Sequence, residues 1–256
     1  EIDKIALSKQ YEFINADLIE EIVDEDKINI TIKISESNKF YVQQINIIGN
    51  NLTLEEVIRN SLIVDEGDPY NEILFNKSIN NLKAKNIFAS VNSEIKEGSD
   101  KSLKVIDISV EEKATGEISL GAGIGTGGGT FGGGIKENNF LGKGIMLDTN
   151  ITIGKDSLKG AFVYSKPNFN YTDNTLFTSI TSTSTNALKS YGYKTSEVGF
   201  SIGTGFEQYE NLTFRPEVST SFETLTTDST ASTAMKKQEG NYKDIYFNYS
   251  LDYDLR

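Results

Sequence analysis

From Thr115 onward the sequence alternates apolar and polar residues, run after run, and this period of two restricts the available folds more than any other feature. In one run Leu147, Thr149, Ile151 and Ile153 share a face, with Asp148, Asn150 and Thr152 on the other. In another, Val198, Phe200, Ile202, Thr204 and Phe206 oppose Glu197, Gly199, Ser201, Gly203 and Gly205. Leu212, Phe214, Val218 and Phe222 repeat the pattern, as do Ile245, Phe247, Tyr249, Leu251 and Tyr253. Eight strands are expected, near 116–126, 130–138, 144–154, 157–166, 174–186, 192–206, 211–226 and 241–254. A half-buried antiparallel sheet in water also alternates. Three features favour a membrane instead. The runs match the ~9–11 residues a tilted strand needs to cross. Their polar faces hold Gly, Ser, Thr and Asn, which suit a wet lumen. Aromatics (Phe140, Tyr164, Phe169, Tyr171, Phe206, Tyr209) fall near strand ends, as an interfacial girdle places them. Up-and-down connectivity puts turns 138–144 and 167–171 on one side and turns 186–193 and 227–240 on the other.

Composition breaks where the alternation begins. The first 113 residues hold 3 of the 22 glycines and carry a net charge of −9, while the remaining 143 hold 19 and carry −3. The chain has no Cys, His or Trp. That removes imidazole and thiolate metal sites, Cys or His nucleophiles and disulfides. A formal charge of −12 argues against a nucleic-acid partner. No apolar run approaches the ~18–20 residues of a transmembrane helix. The start at Glu1 and the stop just after an alternating segment read as a fragment cut at both ends.

Residues 40–113 read as strand, helix, helix, strand, strand. Phe40 to Ile48 is β-rich and stops at Gly49-Asn50-Asn51. Thr53, with Glu56 three residues on, is expected to cap a helix whose apolar face is Leu54, Val57, Ile58 and Leu62. After Asp65-Glu66-Gly67-Asp68-Pro69 a second helix buries Phe75, Ile79 and Leu82, and Asn86 suits a left-handed cap. Strands near 88–96 and 103–111 close the unit around the turn 98–100. The chain start repeats this ending: Ile14-Asn15-Ala16-Asp17-Leu18 aligns with Val91-Asn92-Ser93-Glu94-Ile95, and Ile28, Ile30, Ile32 and Ile34 alternate as Ile106, Ile108 and Val110 do. Chance similarity of two hairpins is the alternative.

Other motifs carry little. Gly123-x-Gly125-x-x-Gly128 and Gly127-x-Gly129-x-x-Gly132 match the dinucleotide fingerprint, but Phe131-Gly132-Gly133-Gly134 is a poor helix start, so a small-residue hairpin is the better reading. Gly142-Lys143 lacks the rest of a phosphate loop, and Asp24-Glu25-Asp26 lacks the central glycine of a calcium loop. No nucleophile elbow occurs. No catalytic residue and no cofactor are expected.

Residues 40–144 resemble the last periplasmic POTRA domain and first barrel strands of BamA-type outer-membrane assembly proteins. The matching text is Tyr41-Val42 to Ile45, Ile48-Gly49-Asn50, Thr53, Val57-Ile58-Arg59, Glu66-Gly67-Asp68, Tyr70-Asn71, Ser78, Leu82, Phe88 to Val91 and Val110-Glu111-Glu112-Lys113. The junction Thr115-Gly116-Glu117 into Gly121-x-Gly123 and the stretch from Glu137 to Gly144 continue it. The Val-Arg-Gly-Phe/Tyr loop motif of the family is absent; its place in a late barrel loop puts it outside a fragment of this length.

The resemblance implies an α+β POTRA module of β-α-α-β-β order followed by the N-terminal half of a transmembrane antiparallel β-barrel. Residues 1–38 would end a penultimate POTRA domain, 39–113 form the last one, and 114–256 supply the first eight barrel strands. It implies an outer-membrane barrel with a periplasmic N-terminal part, and partners that are unfolded β-barrel proteins, accessory assembly lipoproteins and outer-membrane lipid. Client strands would pair with the POTRA edge at Ala89, Ser90, Val91, Asn92 and Ser93. They would also pair with the first barrel strand at Ile118, Ser119, Leu120, Gly121, Ala122, Gly123 and Ile124. A polypeptide secretion transporter of the same superfamily, a passive porin and an enzyme are the competing readings, in falling order.

Overall fold

The computed structural model describes residues 14–24, 27–36, 39–125, 128–209 and 211–253. The chain divides into two compact units, Glu1–Lys113 and Ala114–Arg256. The first opens with an antiparallel hairpin, β1 (Ile14–Asp24) and β2 (Lys27–Glu36).

Next comes β3 (Tyr41–Ile48), helices α1 (Glu55–Arg59) and α2 (Glu72–Ala84), then β4 (Phe88–Glu97) and β5 (Leu103–Glu112). These form the three-stranded sheet β3-β5-β4, with β3 parallel and β4 antiparallel to β5. Period-two spacing sends Val42, Ile45, Val91, Ile106, Ile108 and Val110 to one face, where Val57, Ile58, Phe75, Ile79 and Leu82 meet them at helical spacing. Ile58, Leu82, Ile106 and Ile108 are fully buried, each side chain contributing about 1.5–3 kcal/mol. Ser78 is buried among them without cost, since its hydroxyl donates to the Leu74 carbonyl and accepts from Ile63 N–H, both at 2.8 Å.

Two expectations for α1 need correction. Its N-cap is Leu54, which has no capping side chain, and Leu54 is exposed rather than part of the apolar face. The Thr53–Glu56 capping box does not form. Instead the Glu112 carboxylate, at the end of β5, accepts the N–H groups of Asn51 (3.0 Å), Leu52 (2.9 Å) and Thr53 (2.6 Å). Glu112 thereby takes the Thr53 N–H that the Glu56 side chain would have accepted in a capping box. Helix α2 is capped by Asn71, whose side chain accepts from Ile73 and Leu74 N–H.

The second unit is one eight-stranded antiparallel sheet in sequence order. Its strands are β6 (Gly116–Gly125), β7 (Gly128–Phe140), β8 (Ile145–Gly154), β9 (Ser157–Lys166), β10 (Thr175–Ala187), β11 (Tyr193–Tyr209), β12 (Leu212–Thr227) and β13 (Gly240–Tyr253). All eight expected strands are present, with ends displaced by a few residues at most. Hairpin register puts Ile118 opposite Ile135, Ile151 opposite Gly160, Ile180 opposite Phe200 and Val218 opposite Phe247. These share one face, and they remain exposed there. The other face carries a polar ladder: Ser179 to Ser201 (2.8 Å), Ser201 to Glu217 (3.2 Å) and Asn248 to Glu217 (3.2 Å). An apolar face exposed across eight strands is what lipid contact requires. Phe206 meets Phe214 edge-on at 5.7 Å near one end, and Lys243 lies over Phe222 at 5.3 Å near the other.

The glycine-rich run is the β6–β7 hairpin, not a helix start, so the fingerprint reading is closed. Two long turns hold short helices that period-two reading did not anticipate, α3 (Leu188–Tyr191) and α4 (Thr233–Lys237). They adjoin, because Asp228 N–H donates to the Gly192 carbonyl at 2.8 Å.

Gly49 ends β3 at φ +93°, and a Cβ there would lie 2.1 Å from the Val110 carbonyl oxygen. We predict that Gly49→Ala destabilises the first unit by about 2 kcal/mol or more, since a strained φ alone costs roughly 1–3 kcal/mol. Chemical denaturation followed by far-UV circular dichroism checks this, and an unchanged midpoint contradicts it.

Candidate strand-pairing site

Strands end where backbone pairing stops, so the chemistry of this chain is sought at its sheet edges. The expected residues lie on two of them. Ala89 to Ser93 are on β4, which pairs only with β5 among the described residues. Register slips between Phe88 and Ser90, making Ala89 a bulge. Val91 points into the core, while Ala89, Asn92 and Ser93 are exposed. Ile118 to Ile124 are on β6, which among the described residues pairs only with β7. The structure keeps the two edges in different units.

The β6 edge is tied at its base and loose above it. At the base the Thr115 hydroxyl donates to Glu137, and Asn138 Nδ2 reaches the Thr115 carbonyl (3.3 Å) and Glu117 (3.2 Å). Asn139 N–H reaches Glu137 at 2.7 Å, and the Asn139 side chain accepts Gly144 N–H at 2.7 Å. Higher up, Ser119, Gly121 and Gly123 face Gly134, Gly132 and Thr130. Among the described residues two long side-chain bonds cross there, Ser119 to the Gly134 carbonyl (3.5 Å) and Thr130 to the Gly123 carbonyl (3.4 Å). On the opposite face Leu120 and Ile124 are 87% and 96% exposed. The backbone ladder therefore holds this strand with little side-chain packing, unlike the hydrogen-bonded wall of β10 to β13.

The β4 edge rests on β5, and β5 is anchored through Glu112. Burial pushes the Glu112 carboxyl up, but the Thr53 hydroxyl and the three backbone N–H groups stabilise its anion and bring it below the usual range. On the exposed sheet face Asp107 accepts from Lys96 and Asn46, both at 2.7 Å, and these bonds hold its carboxyl low. Sequence reasoning missed Glu112 because its partners lie about sixty positions away.

Among the described residues no group of acidic side chains is arranged to hold a metal, and no helix is long and apolar enough to cross a membrane.

Residues 40–113 match the POTRA family, described as a surface antigen variable number repeat, and residues 139–256 match the Omp85 superfamily domain. The chain thus carries a POTRA domain followed by an Omp85 superfamily domain. A Treponema pallidum relative is 32% identical over 148 residues, which is 54% of this chain and 18% of the relative. The Neisseria meningitidis outer membrane protein assembly factor BamA is 27% identical over 144 residues, 56% of this chain and 18% of the relative. The chain thus spans less than a fifth of the curated relatives it matches. Among solved structures, BamA from Haemophilus ducreyi lacking POTRA domains 1–3 superposes with a TM-score of 0.69 at 20% identity, over 98% of this chain and 52% of that one. CdiB from Acinetobacter baumannii superposes with a TM-score of 0.60 at 12% identity, over 99% and 50%. At those identities the likeness is one of fold, and the eight-stranded sheet resembles half a BamA barrel. With these two domains the chain is an outer-membrane protein with a periplasmic POTRA domain.

Glu112 generates a pH prediction. Its carboxyl is lower in the folded state than the ordinary 4.5, so its stabilising contribution is complete above that value and fades as pH falls through the lowered one. Glu112→Gln should lower the melting temperature at pH 7, and the gap to the parent should narrow below about pH 4.5. Thermal melts across pH 3–7 test it; a gap that stays constant with pH contradicts it.

Proposed function

We propose that this chain is part of an outer-membrane protein assembly factor that captures unfolded β-barrel clients by strand addition and inserts them through the edge of its first barrel strand. The observation that carries the reading is that, among the described residues, β4 and β6 are each paired on one side only, β6 with little side-chain packing against β7. An edge strand offers its N–H and C=O groups to an incoming strand, and pockets between alternate side chains add selectivity. At β4 the bulge at Ala89 and the exposed Asn92 and Ser93 leave the outer edge open to a peptide. At β6 the sparse side-chain packing of the glycine-rich polar face would let the strand part from its neighbour and template a client. The strand hydrogen bonds gained by the client, and its apolar face entering lipid, would supply the driving force without nucleotide or metal.

Under this reading the β1–β2 hairpin is the tail of a preceding POTRA domain, and accessory lipoproteins and outer-membrane lipid are further partners. The fold likeness to CdiB sustains a second reading, a polypeptide secretion transporter of the same superfamily. In that case a passing chain would cross the lumen rather than pair with β6.

Two outcomes test the proposal. Photo-crosslinkers placed singly from Gly116 to Gly125 in the full-length protein should trap nascent barrel proteins; adducts confined to lipid or to its own strands would count against insertion at β6. Val91→Pro removes a backbone donor from the edge strand and should weaken client pairing severalfold while leaving α1 and α2 folded. Unchanged assembly by a stably folded Val91→Pro protein would end the role of β4.

A further inference from the structure

The three-stranded sheet has a second outer edge, on β3, and the chain closes most of it with its own atoms. Counting along the strand, the Phe40 carbonyl accepts Tyr70 N–H at 2.8 Å. Val42 N–H donates to the Asp68 carbonyl (2.9 Å), and the Val42 carbonyl accepts Gly67 N–H (2.7 Å). Register then shifts between Val42 and Gln44, so the next outward groups belong to Ile45. No backbone reaches them. Ile45 N–H instead donates to Glu66 Oε1 at 3.0 Å, and the Ile45 carbonyl accepts Arg59 Nη2 at 3.0 Å. Arg59 also holds Glu66 at 3.4 Å and Glu55 at 2.7 Å. One acidic and one basic side chain thus take the place of the neighbouring strand's carbonyl and amide.

The arrangement is costly for a surface pair to make by accident. An exposed ion pair is worth little, and fixing two long side chains loses entropy. Here the pair satisfies both backbone groups of one edge residue, which is how charged side chains blunt a strand edge. Its placement is dictated by Gly67, at φ +93°, whose turn brings Glu66 alongside β3. Beyond the pair, a groove of about 740 Å³ runs past Gln44, Ile45, Asn46, Ile47, Arg59 and Glu66. It has room for an extended segment beside Ile47, the next residue whose backbone faces outward. Among the described residues the β4 edge has no such closure.

We propose that Arg59 and Glu66 are a clasp that shuts the β3 edge, so that a client strand adds to this repeat at β4 alone. The inference rests on the strand-capture reading above and assigns to these two residues the choice of edge. With the clasp removed, Ile45 and Ile47 together present four outward backbone groups, enough for a short strand to pair. With it in place, Ile47 stands alone and cannot hold one.

These 256 residues hold no cysteine, and any cysteine elsewhere in the full-length protein is first replaced by serine, which makes the test direct. Ile47→Cys and Asn92→Cys are introduced singly into the full-length protein in detergent. Each is exposed to a synthetic peptide with the sequence Gly240–Tyr253 that carries a thiol-reactive group at its centre. In the parent background position 92 should react and position 47 should not. In the Arg59→Ala/Glu66→Ala background, labelling at 47 should rise on the order of tenfold, as two freed backbone groups find partners. Arg59→Lys with Glu66 intact should keep position 47 near its parent level, since a lysine still donates to the Ile45 carbonyl; general loosening of α1 would not respect that difference. Labelling at 47 that stays at the parent level in a folded double variant overturns the clasp, whatever position 92 does. Absence of labelling at 92 in every background overturns strand capture at β4, and a rise at 47 would still uphold the clasp. Should the double variant melt early, Glu66→Ala alone frees Ile45 N–H and is read in the same way, with a smaller rise expected and no rise overturning the inference.

Discussion

A peptide group removed from water must find a hydrogen-bond partner, and in a sheet that means every strand needs a neighbour on each side. Both units of this chain are organised by where that demand is met and where it is not. In the three-stranded sheet only β5 is flanked on both sides, and it holds the fully buried Ile106 and Ile108. Its two neighbours are edges. In the eight-stranded sheet six strands are flanked on both sides, while β6 and β13 are the outer strands of the described residues.

The edges are handled in different ways. The β3 edge is covered from Phe40 to Ile45 by the turn around Gly67 and by the side chains of Glu66 and Arg59. The β4 edge has no neighbouring strand among the described residues, but its backing strand is fastened by Glu112 to the segment that precedes α1. The β6 edge is fastened at its base by Thr115, Glu137, Asn138 and Asn139, and above that it is almost free of side-chain bonding. Fastening at one end and looseness along the remainder suit a strand whose partner can be exchanged. Glycine is the means, because it keeps the ladder while removing the side chains that would lock neighbouring strands together.

How much of this was legible follows from the range of each interaction. The barrel strands were legible because alternation is local: a residue and its second neighbour share a face whatever lies opposite. The POTRA order was legible from turns at Gly49, Gly67 and Asn86 and from two helical stripes. The edges at Ala89 to Ser93 and Ile118 to Ile124 came from family resemblance, and the structure places both on outer strands. Local patterns also misled. Thr53 and Glu56 have capping-box spacing, yet the Thr53 N–H that Glu56 would accept is taken by Glu112. Leu54 sits in step with Val57 and Ile58, yet as the residue before the helix it turns outward. Period-two reading passed over α3 and α4, which are too short to show a stripe.

By itself the sequence determined that a soluble-type α+β repeat precedes a one-sidedly apolar run of strands, since periodicity, turn residues and the composition break at Lys113 are all properties of neighbouring positions. It also determined that no histidine or cysteine chemistry is available to this chain. Which edges stay open was decided only in the tertiary structure. That depends on partners such as Glu66 with Ile45 and Glu112 with Asn51, twenty-one and sixty-one positions apart. Hydrogen bonds of such separation leave no periodic mark on a sequence, because nothing in the local pattern specifies which distant acceptor a backbone amide will meet.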